Sequence, residues 1–114
     1  MREIKFRAWH EEKKKYLFFD LLDTDQDYHI SSGEYVNIDY VEQFTGLFDK
    51  NGKEIYEGDI LLDPSCEEPL LVEYALNVAG YVGWGNDRRC GCYNINDEVN
   101  EIIGNIHENP ELFK

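Results

Sequence analysis

Residues 23–34 have the side-chain pattern of a calcium-binding loop. Such a loop has twelve residues, and its oxygen ligands come mainly from positions 1, 3, 5, 9 and 12. The residues at these positions are Asp23, Asp25, Asp27, Ser31 and Glu34. Position 6 is normally glycine because the chain turns sharply there, whereas this chain has Tyr28, for which the left-handed conformation costs roughly 1–2 kcal/mol. We therefore expect an acidic surface loop, with calcium binding as the alternative.

The three cysteines form a second candidate site. Cys66, Cys90 and Cys92, together with a histidine, would supply the four ligands of a tetrahedral zinc site. The pair Cys90 and Cys92 is separated by one residue, which differs from the spacing of a zinc knuckle, and no second pair is present. Arg88 and Arg89 would lower a thiol pKa, but the Cys-x-x-Cys redox motif is missing. We expect turn residues with reduced thiols, with zinc binding as the alternative.

The histidines and the remaining carboxylates show no sequence pattern of a catalytic site. His10, His29 and His107 are scattered, and none stands beside a serine or cysteine in a recognisable nucleophile motif. Glu101 and Glu108 are ordinary carboxylates, and a catalytic pair cannot be recognised from spacing in so acidic a chain. A triad assembles in space from any chain order, so sequence order does not exclude one. We expect no enzymatic activity.

The segment 80–93 combines glycines with aromatic residues. Gly80, Gly83 and Gly85 are not followed by Lys-Ser/Thr or by a helix pattern, so they do not predict a phosphate-binding loop. The aromatic residues of interest are Tyr81, Trp84 and Tyr93. On a small barrel, exposed aromatics of this kind stack against peptides or bases. The commoner arrangement is that about half of them fill the core, because aromatic side chains dominate burial in small domains.

Residues 43–62 contain the strongest turn and strand signals of the chain. Asn51-Gly52 is the dipeptide most typical of a β-hairpin, because both residues tolerate positive φ. Residues 57–59, with the sequence Glu-Gly-Asp, form a second turn in which glycine is free to be left-handed. Residues 60–62 are all apolar, as in a strand that is covered on both faces. The succession predicts the hairpin, corner and buried strand of a small barrel.

Apolar runs and alternating apolar and polar residues predict further strands on both sides of this stretch. The predicted strands comprise residues 4–9, 16–19, 36–40, 70–75, 80–84, 92–95 and 101–107. The second of these also fits a helix, because Tyr16, Phe19 and Leu22 recur at helical spacing, but its aromatic content favours a strand. Asn109 and Pro110 predict a short final helical turn, with Asn109 as its cap.

Three segments of the chain resemble those of one known protein family. Residues 44–61 read FTGLFDKNGKEIYEGDIL and are similar to the central motif of the YopX family, small proteins encoded mainly by bacteriophages and prophages of Gram-positive bacteria. Residues 1–9 and 103–112 are similar to its usual opening and close. Residues 20–40 and 63–100 match no family segment, so a special function of this member is expected there. The resemblance implies a C-terminal domain like an SH3-type barrel, and it implies neither a known reaction nor catalytic residues.

The expected fold is therefore mainly β with little helix. A small SH3-like barrel occupies residues 43–114, and an N-terminal β-rich segment occupies residues 1–42. A chain of 114 residues accommodates either two small units sharing a core or one compact unit, and both arrangements stay open. The hydrophobic fraction of 42% is sufficient for a folded protein and argues against wholesale disorder.

The charge composition narrows the classes of partner. Asp and Glu number 24 against 11 Lys and Arg, which gives a net charge of −13 and repels nucleic acid phosphates. The basic cluster at residues 13–15 is short and follows two glutamates, as in a solvated turn. No apolar run approaches the ~18 residues of a membrane helix, and the first residues lack the apolar core of a signal peptide. We expect a cytoplasmic protein of a bacterial host cell, without nucleic acid or membrane partners.

These expectations favour a non-enzymatic protein–protein binding module that acts as a homo-oligomer on an unidentified protein partner. One alternative is an acidic nucleic-acid mimic that blocks a host DNA-binding protein, because carboxylates spaced like phosphates would meet a basic groove. Another alternative is a calcium- or zinc-dependent interaction protein. No catalytic, cofactor-binding or metal-binding residue is assigned from the sequence.

Overall fold

The structure is a computed structural model that describes six segments of the chain. These segments are residues 5–20, 40–64, 69–75, 80–85, 92–95 and 98–113. Within them the protein is mainly β, as expected: nine strands form two antiparallel sheets, and the second sheet curves into a half-barrel.

The first sheet begins with a hairpin between β1 (Lys5–His10) and β2 (Lys15–Asp20). Its register pairs Ala8 with Leu17, and both side chains are buried. Residues 16–19 are therefore extended, as their aromatic content indicated, and the helical alternative is wrong. Pairing with β1 decides the outcome, since residues 15–20 form six successive antiparallel pairs with residues 5–10.

The strand β3 (Val41–Phe48) pairs with β1 and with the short strand β4 (Glu54–Tyr56), so that the order is β2-β1-β3-β4. The register of β3 against β4 shifts between Phe44 and Phe48, and Gly46 within the shift has a φ of 84°. Thr45 stabilises this bulge, because its hydroxyl donates to the Ile55 carbonyl and accepts the Leu47 N–H. Residues 36–39 of the strand predicted at 36–40 lie outside the described residues, and Tyr40 precedes β3.

The second sheet has the order β8-β7-β6-β5-β9. Its strands are β5 (Asp59–Leu62), β6 (Leu70–Ala75), β7 (Gly80–Gly85), β8 (Cys92–Asn94) and β9 (Glu101–Asn105). A core cluster of Ile55, Leu61, Leu70 and Val72 lies between the strands, with half-buried neighbours such as Tyr81 packed against it. Ile55 comes from the first sheet, so the two sheets share this core.

The chain ends in a 3₁₀ helix, Pro110–Phe113. It begins at Pro110 as predicted, and the Leu112 N–H donates to the Asn109 carbonyl. The Asn109 side chain accepts the Asn105 N–H, so it ties the helix back to β9. None of the described helices is long and apolar enough to cross a membrane.

The turn between β4 and β5 connects the two sheets. The Glu57 N–H donates to the Gln43 carbonyl of the first sheet, and the Gly58 N–H donates to the Val72 carbonyl of the second. The Gly58 carbonyl accepts the Ile106 N–H. The boundary predicted at residues 42/43 falls inside β3, which pairs with strands from both sides of it, and the division into two units stays a prediction.

A candidate binding groove beside a buried arginine

The guanidinium of Arg7 lies at the centre of the junction between the two sheets. Arg7 is on β1 and only 6% exposed. Its Nε donates to Oε1 of Glu42 at 2.8 Å, and its Nη2 donates to Oδ1 of Asp59 at 2.8 Å and to the Glu57 carbonyl at 3.0 Å. Three segments that are distant in the chain therefore meet at one side chain.

Two tyrosine rings complete the surroundings of this guanidinium. The Arg7 Cζ lies 3.9 Å from the ring centroid of Tyr16 and 4.8 Å from that of Tyr56. Burial disfavours the charge, but the nearby carboxylates of Asp59 and Glu42 outweigh it and raise the pKa of Arg7. We call these five residues (Arg7, Tyr16, Glu42, Tyr56 and Asp59) the arginine junction. Its arginine is charged at every ordinary pH.

Burial affects the acidic members of the junction in the opposite way. Burial raises the pKa of Asp59 to about 6, although Arg7 and the Tyr56 N–H, which donates to Oδ2 at 2.8 Å, both favour the carboxylate. Burial also raises the pKa of Glu42, against the effect of Arg7. The hydroxyl of Tyr16 stays protonated, because burial raises its pKa as well. When both carboxyl groups are ionised, the junction holds two carboxylates against one guanidinium and carries an excess negative charge.

Gly58 is the residue that allows the Glu42 carboxylate to approach the turn. Its φ is +86°, and a Cβ at this position would overlap Oε2 of Glu42. Only glycine combines this backbone conformation with the missing side chain. Each residue of the turn at 57–59 therefore helps to bind Arg7. Glu57 contributes its carbonyl, Gly58 leaves room for the Glu42 carboxylate, and Asp59 contributes its own carboxylate.

His107 lies against the same cluster. Its ring stacks on Trp9 with centroids 5.2 Å apart and an interplanar angle of 7°, and its Nε2 is 3.5 Å from Oε2 of Glu42. Burial and the charge of Arg7 lower the pKa of His107, so that the ring is neutral at pH 7. A neutral imidazole beside a carboxylate has a role in packing and hydrogen bonding, and it adds no positive charge to this face.

An open groove of about 620 Å³ runs along this cluster. Its lining consists of residues 40–42, 57–58, 71–74 and 106–107. Tyr40 and Tyr74 contribute aromatic rings, and Glu42, Glu57 and Glu73 contribute carboxylates. Tyr74 is 47% exposed and lies edge-on to Tyr81, with ring centroids 5.3 Å apart. The groove therefore borders the hydrogen-bonded sheet junction and has an exposed aromatic side chain, Tyr74.

The calcium and zinc hypotheses depend on residues of which the structure describes little. The whole loop from Asp23 to Glu34 lies outside the described residues, as do Cys66, Cys90 and the two arginines before Cys90. Cys92 lies on β8, and its side chain is not described. Within the described segments no group of three or more His, Cys, Asp or Glu is arranged to hold a metal ion. Both hypotheses stay predictions.

The other titratable candidates do not come together. Nδ1 of His10 accepts the Lys13 N–H in the first hairpin, and His29 lies outside the described residues. Glu101 lies on β9, with Lys50 Nζ at 3.6 Å. The exposed Glu108 accepts a hydrogen bond from the Asn105 side chain. Of the two histidines in the described segments, the structure places His107, and not His10, at the groove.

The glycines and aromatics of residues 80–93 have structural roles where they are described. Gly83 pairs with Val72, and a Cβ at Gly83 would lie 2.9 Å from the Cβ of Leu70, so the glycine leaves room for the Leu70 side chain. Tyr81 is half-buried and donates its hydroxyl to Oε1 of Gln43, and Trp84 is half-buried on β7. The side chain of Tyr93 is not described. Sequence reasoning did not single out Tyr40 and Tyr74, two tyrosines that line the groove.

Sequence reasoning also missed Arg7, Glu42 and Asp59 as a unit. One available signal was the presence of Arg7 and Asp59 in segments that resemble the family's opening and central motif. Glu42 lies just before the central motif and carries no comparable signal. Nothing in spacing alone indicates that the three side chains meet.

The fold and the junction define a small mainly-β protein in which a four-stranded sheet and a half-barrel meet at a buried arginine. The profile of the YopX protein family matches residues 5–114, and the chain therefore belongs to the YopX family. This confirms the resemblance read from the sequence. Among solved structures, the chain is similar to protein EF1440 from Enterococcus faecalis, with 28% identity, a TM-score of 0.62 and 100% of each chain covered. No curated protein matches the sequence significantly.

Proposed function

We propose that this YopX-family protein is a non-enzymatic binding module that holds a protein partner in the junction groove. The observation that carries the proposal is the position of the groove, at the meeting of both sheets and over the arginine junction. A cleft of this size, with aromatic walls and a few polar groups, is a typical binding site. The hydrogen bonds that hold Arg7, Glu42 and Asp59 in place lower the entropic cost of ordering the site when a partner binds.

The chemistry of the cluster supports binding rather than catalysis. The guanidinium of Arg7 is engaged by two carboxylates and one carbonyl, and Asp59 also accepts a backbone N–H. Structural ion-pair networks perturb pKa values as catalytic sites do, and mutual engagement of the charges is typical of the structural kind. In the proposal the arginine junction shapes the groove, and the partner contacts the rim.

The biological setting is part of the same proposal. Family membership supports a phage or prophage protein that acts in the cytoplasm of a bacterial host, and a homo-oligomer would present more than one groove to the partner. The acidic-mimic hypothesis depends on the acidic segments 20–27 and 63–68, which lie mostly outside the described residues, and it stays a prediction.

The test compares two exposed apolar side chains of the second sheet. Tyr74 on the groove and Leu62 away from it are 47% and 45% exposed, so Tyr74→Ser and Leu62→Ser are matched in accessibility. Tagged wild type and both variants are used to capture partners from bacterial lysate, with native mass spectrometry of the complexes. The captured partner should then slow hydrogen exchange at residues 71–74 and 106–107.

We expect the wild type and Leu62→Ser to retain the same partner. Tyr74→Ser should capture at least about tenfold less of it, as expected for the loss of a central aromatic contact. Equal retention by Tyr74→Ser, or protection confined to other strands, would contradict binding at this groove. Capture that disappears after chelation would instead support the metal-dependent alternative.

A further inference from the structure

The junction groove is lined by carboxylates and tyrosine rings, which are the groups that bind a cationic side chain. Three of its described lining residues are carboxylates, Glu42, Glu57 and Glu73, and the one basic side chain among these described residues, His107, is neutral at pH 7. One oxygen of Glu57 accepts the Gln43 N–H at 2.7 Å, which fixes this carboxylate at the rim. Arg7 balances only part of the charge, because it faces both Glu42 and Asp59. The groove therefore presents an excess of negative charge.

The aromatic walls fit the same kind of occupant. Tyr40 and Tyr74 line the groove beside its carboxylates. Tyrosine faces attract guanidinium and ammonium groups, and carboxylates bind them by charge-assisted hydrogen bonds. The protein uses this combination in its own interior, where the Arg7 guanidinium lies between tyrosine rings and is bound by Glu42 and Asp59.

The charge of the whole chain acts in the same direction. A net charge of −13 attracts basic partners over long distances and speeds their encounter with the groove. The groove volume of about 620 Å³ lies within the range of clefts that enclose a ligand, and it accommodates a few side chains of a peptide segment.

We propose that the groove recognises a lysine- or arginine-containing segment of the partner protein, with the cationic side chain between the groove carboxylates and the tyrosine rings. This inference rests on the proposed function and adds the chemistry of the partner. The mechanism is recognition by charge complementarity: a neutral isostere of the basic side chain binds more weakly, because the groove carboxylates do not attract it.

The test starts from an unbiased probe, a displayed library of random heptapeptides that is selected on the wild-type protein. The most enriched peptide is then titrated into the wild type, Glu57→Gln, Glu73→Gln and Glu111→Gln. Glu111 is exposed on the 3₁₀ helix and does not line the groove, so its variant controls for the loss of one charge. A scrambled peptide of equal charge controls for unspecific attraction, and amide chemical shifts of the labelled protein locate the site.

We expect enriched peptides to contain lysine or arginine, and replacing that residue by norleucine or citrulline to weaken binding by about tenfold. Glu57→Gln and Glu73→Gln should each weaken it by about fivefold, Glu111→Gln by less than about twofold, and added salt should weaken it further. Shifts should centre on residues 57–58 and 71–74.

The remaining outcomes separate this inference from the proposed function. Peptides that bind in the groove without a basic residue, or whose binding is unaffected by both glutamate variants, would overturn the cationic occupant and leave the binding module standing. A selection that enriches no peptide, or only peptides that shift other regions, would count against the groove as a binding site, and the inference would fall with it.

Discussion

Asp49 and Asp59 have the same exposed fraction, only 3%, yet the pKa of Asp49 is lowered and the pKa of Asp59 is raised. Asp49 is in the β3–β4 hairpin, where its two oxygens accept the N–H groups of Asn51, Lys53 and Ile102. Burial opposes its charge, but these three donors outweigh burial and lower the pKa of Asp49. For Asp59 burial dominates, and its pKa is raised to about 6.

The difference shows two ways of keeping a carboxylate inside a small protein. Asp49 is stabilised by backbone donors, which are neutral and mostly local to the turn, so the site costs little desolvation of a partner. Asp59 is paired with Arg7, which must itself be desolvated, and it shares that arginine with Glu42. The hairpin site is therefore self-contained, whereas the junction depends on three segments being held together.

The largest effect should follow from removing the arginine. Arg7→Met leaves two buried carboxylates without their partner, and we expect a loss of about 3–5 kcal/mol in the free energy of unfolding, measured by urea denaturation. Lys14→Met is the matched control: it removes a positive charge from the exposed pair with Glu11, which solvent screens, and should lower the free energy of unfolding far less. Similar losses for the two variants would show that the junction is no more important than a surface ion pair.

The next effect is that the two aspartates should contribute differently to the pH dependence of the free energy of unfolding. The folded protein binds the Asp59 proton more tightly than the unfolded chain does, so the free energy of unfolding falls as the pH rises from about 4 to about 6. Asp59→Asn should flatten this fall, which is worth at most about 3 kcal/mol. Urea denaturation at several pH values measures it, and a slope that Asp59→Asn leaves unchanged would contradict the assignment.

Asp49→Asn should change the acidic end of the same profile of the free energy of unfolding against pH. The pKa of Asp49 is lower in the folded state, so its contribution is present above the unfolded pKa of about 4 and is lost as the pH falls through the lower folded value. The variant should lack this part of the acid-induced loss. If both asparagine variants altered the profile in the same direction, the contrast between the two sites would be wrong.

The smallest of these effects is the difference in stability loss between alanine substitutions at two glycines with the same backbone conformation. Gly52 in the hairpin and Gly58 in the junction have φ values of +82° and +86°, but a Cβ meets nothing within 4 Å at Gly52 and overlaps Glu42 at Gly58. Gly52→Ala should cost roughly 1–2 kcal/mol from backbone strain, and Gly58→Ala about 1–2 kcal/mol more, because it displaces Glu42 from Arg7. Equal melting midpoints for the two variants would show that Glu42 moves aside freely.

Local chemistry explains which parts of the fold were predictable. Asn51-Gly52 predicts its hairpin because both residues tolerate positive φ, and the alternation of residue types predicts β1 because successive side chains of a strand point to opposite faces. The strand at 16–19 was ambiguous, since its apolar residues fit both periods, and pairing with β1 decided it. The candidate site was not predictable in this way. The sequence motifs favoured the segments 23–34 and 88–92, whereas the described structure places its polar cluster elsewhere.

The sequence by itself determined the mainly β character, the central hairpin, the family and the acidic charge, because each is a property of neighbouring residues or of composition. Only the tertiary structure decided that Arg7 meets Glu42 and Asp59, which are 35 and 52 positions away in the chain, and that a groove opens beside them. The physical reason is that a buried charge selects its partners by distance in space. No local propensity records that distance, and the pairing of β1 with β3 and the turn at Gly58 create it.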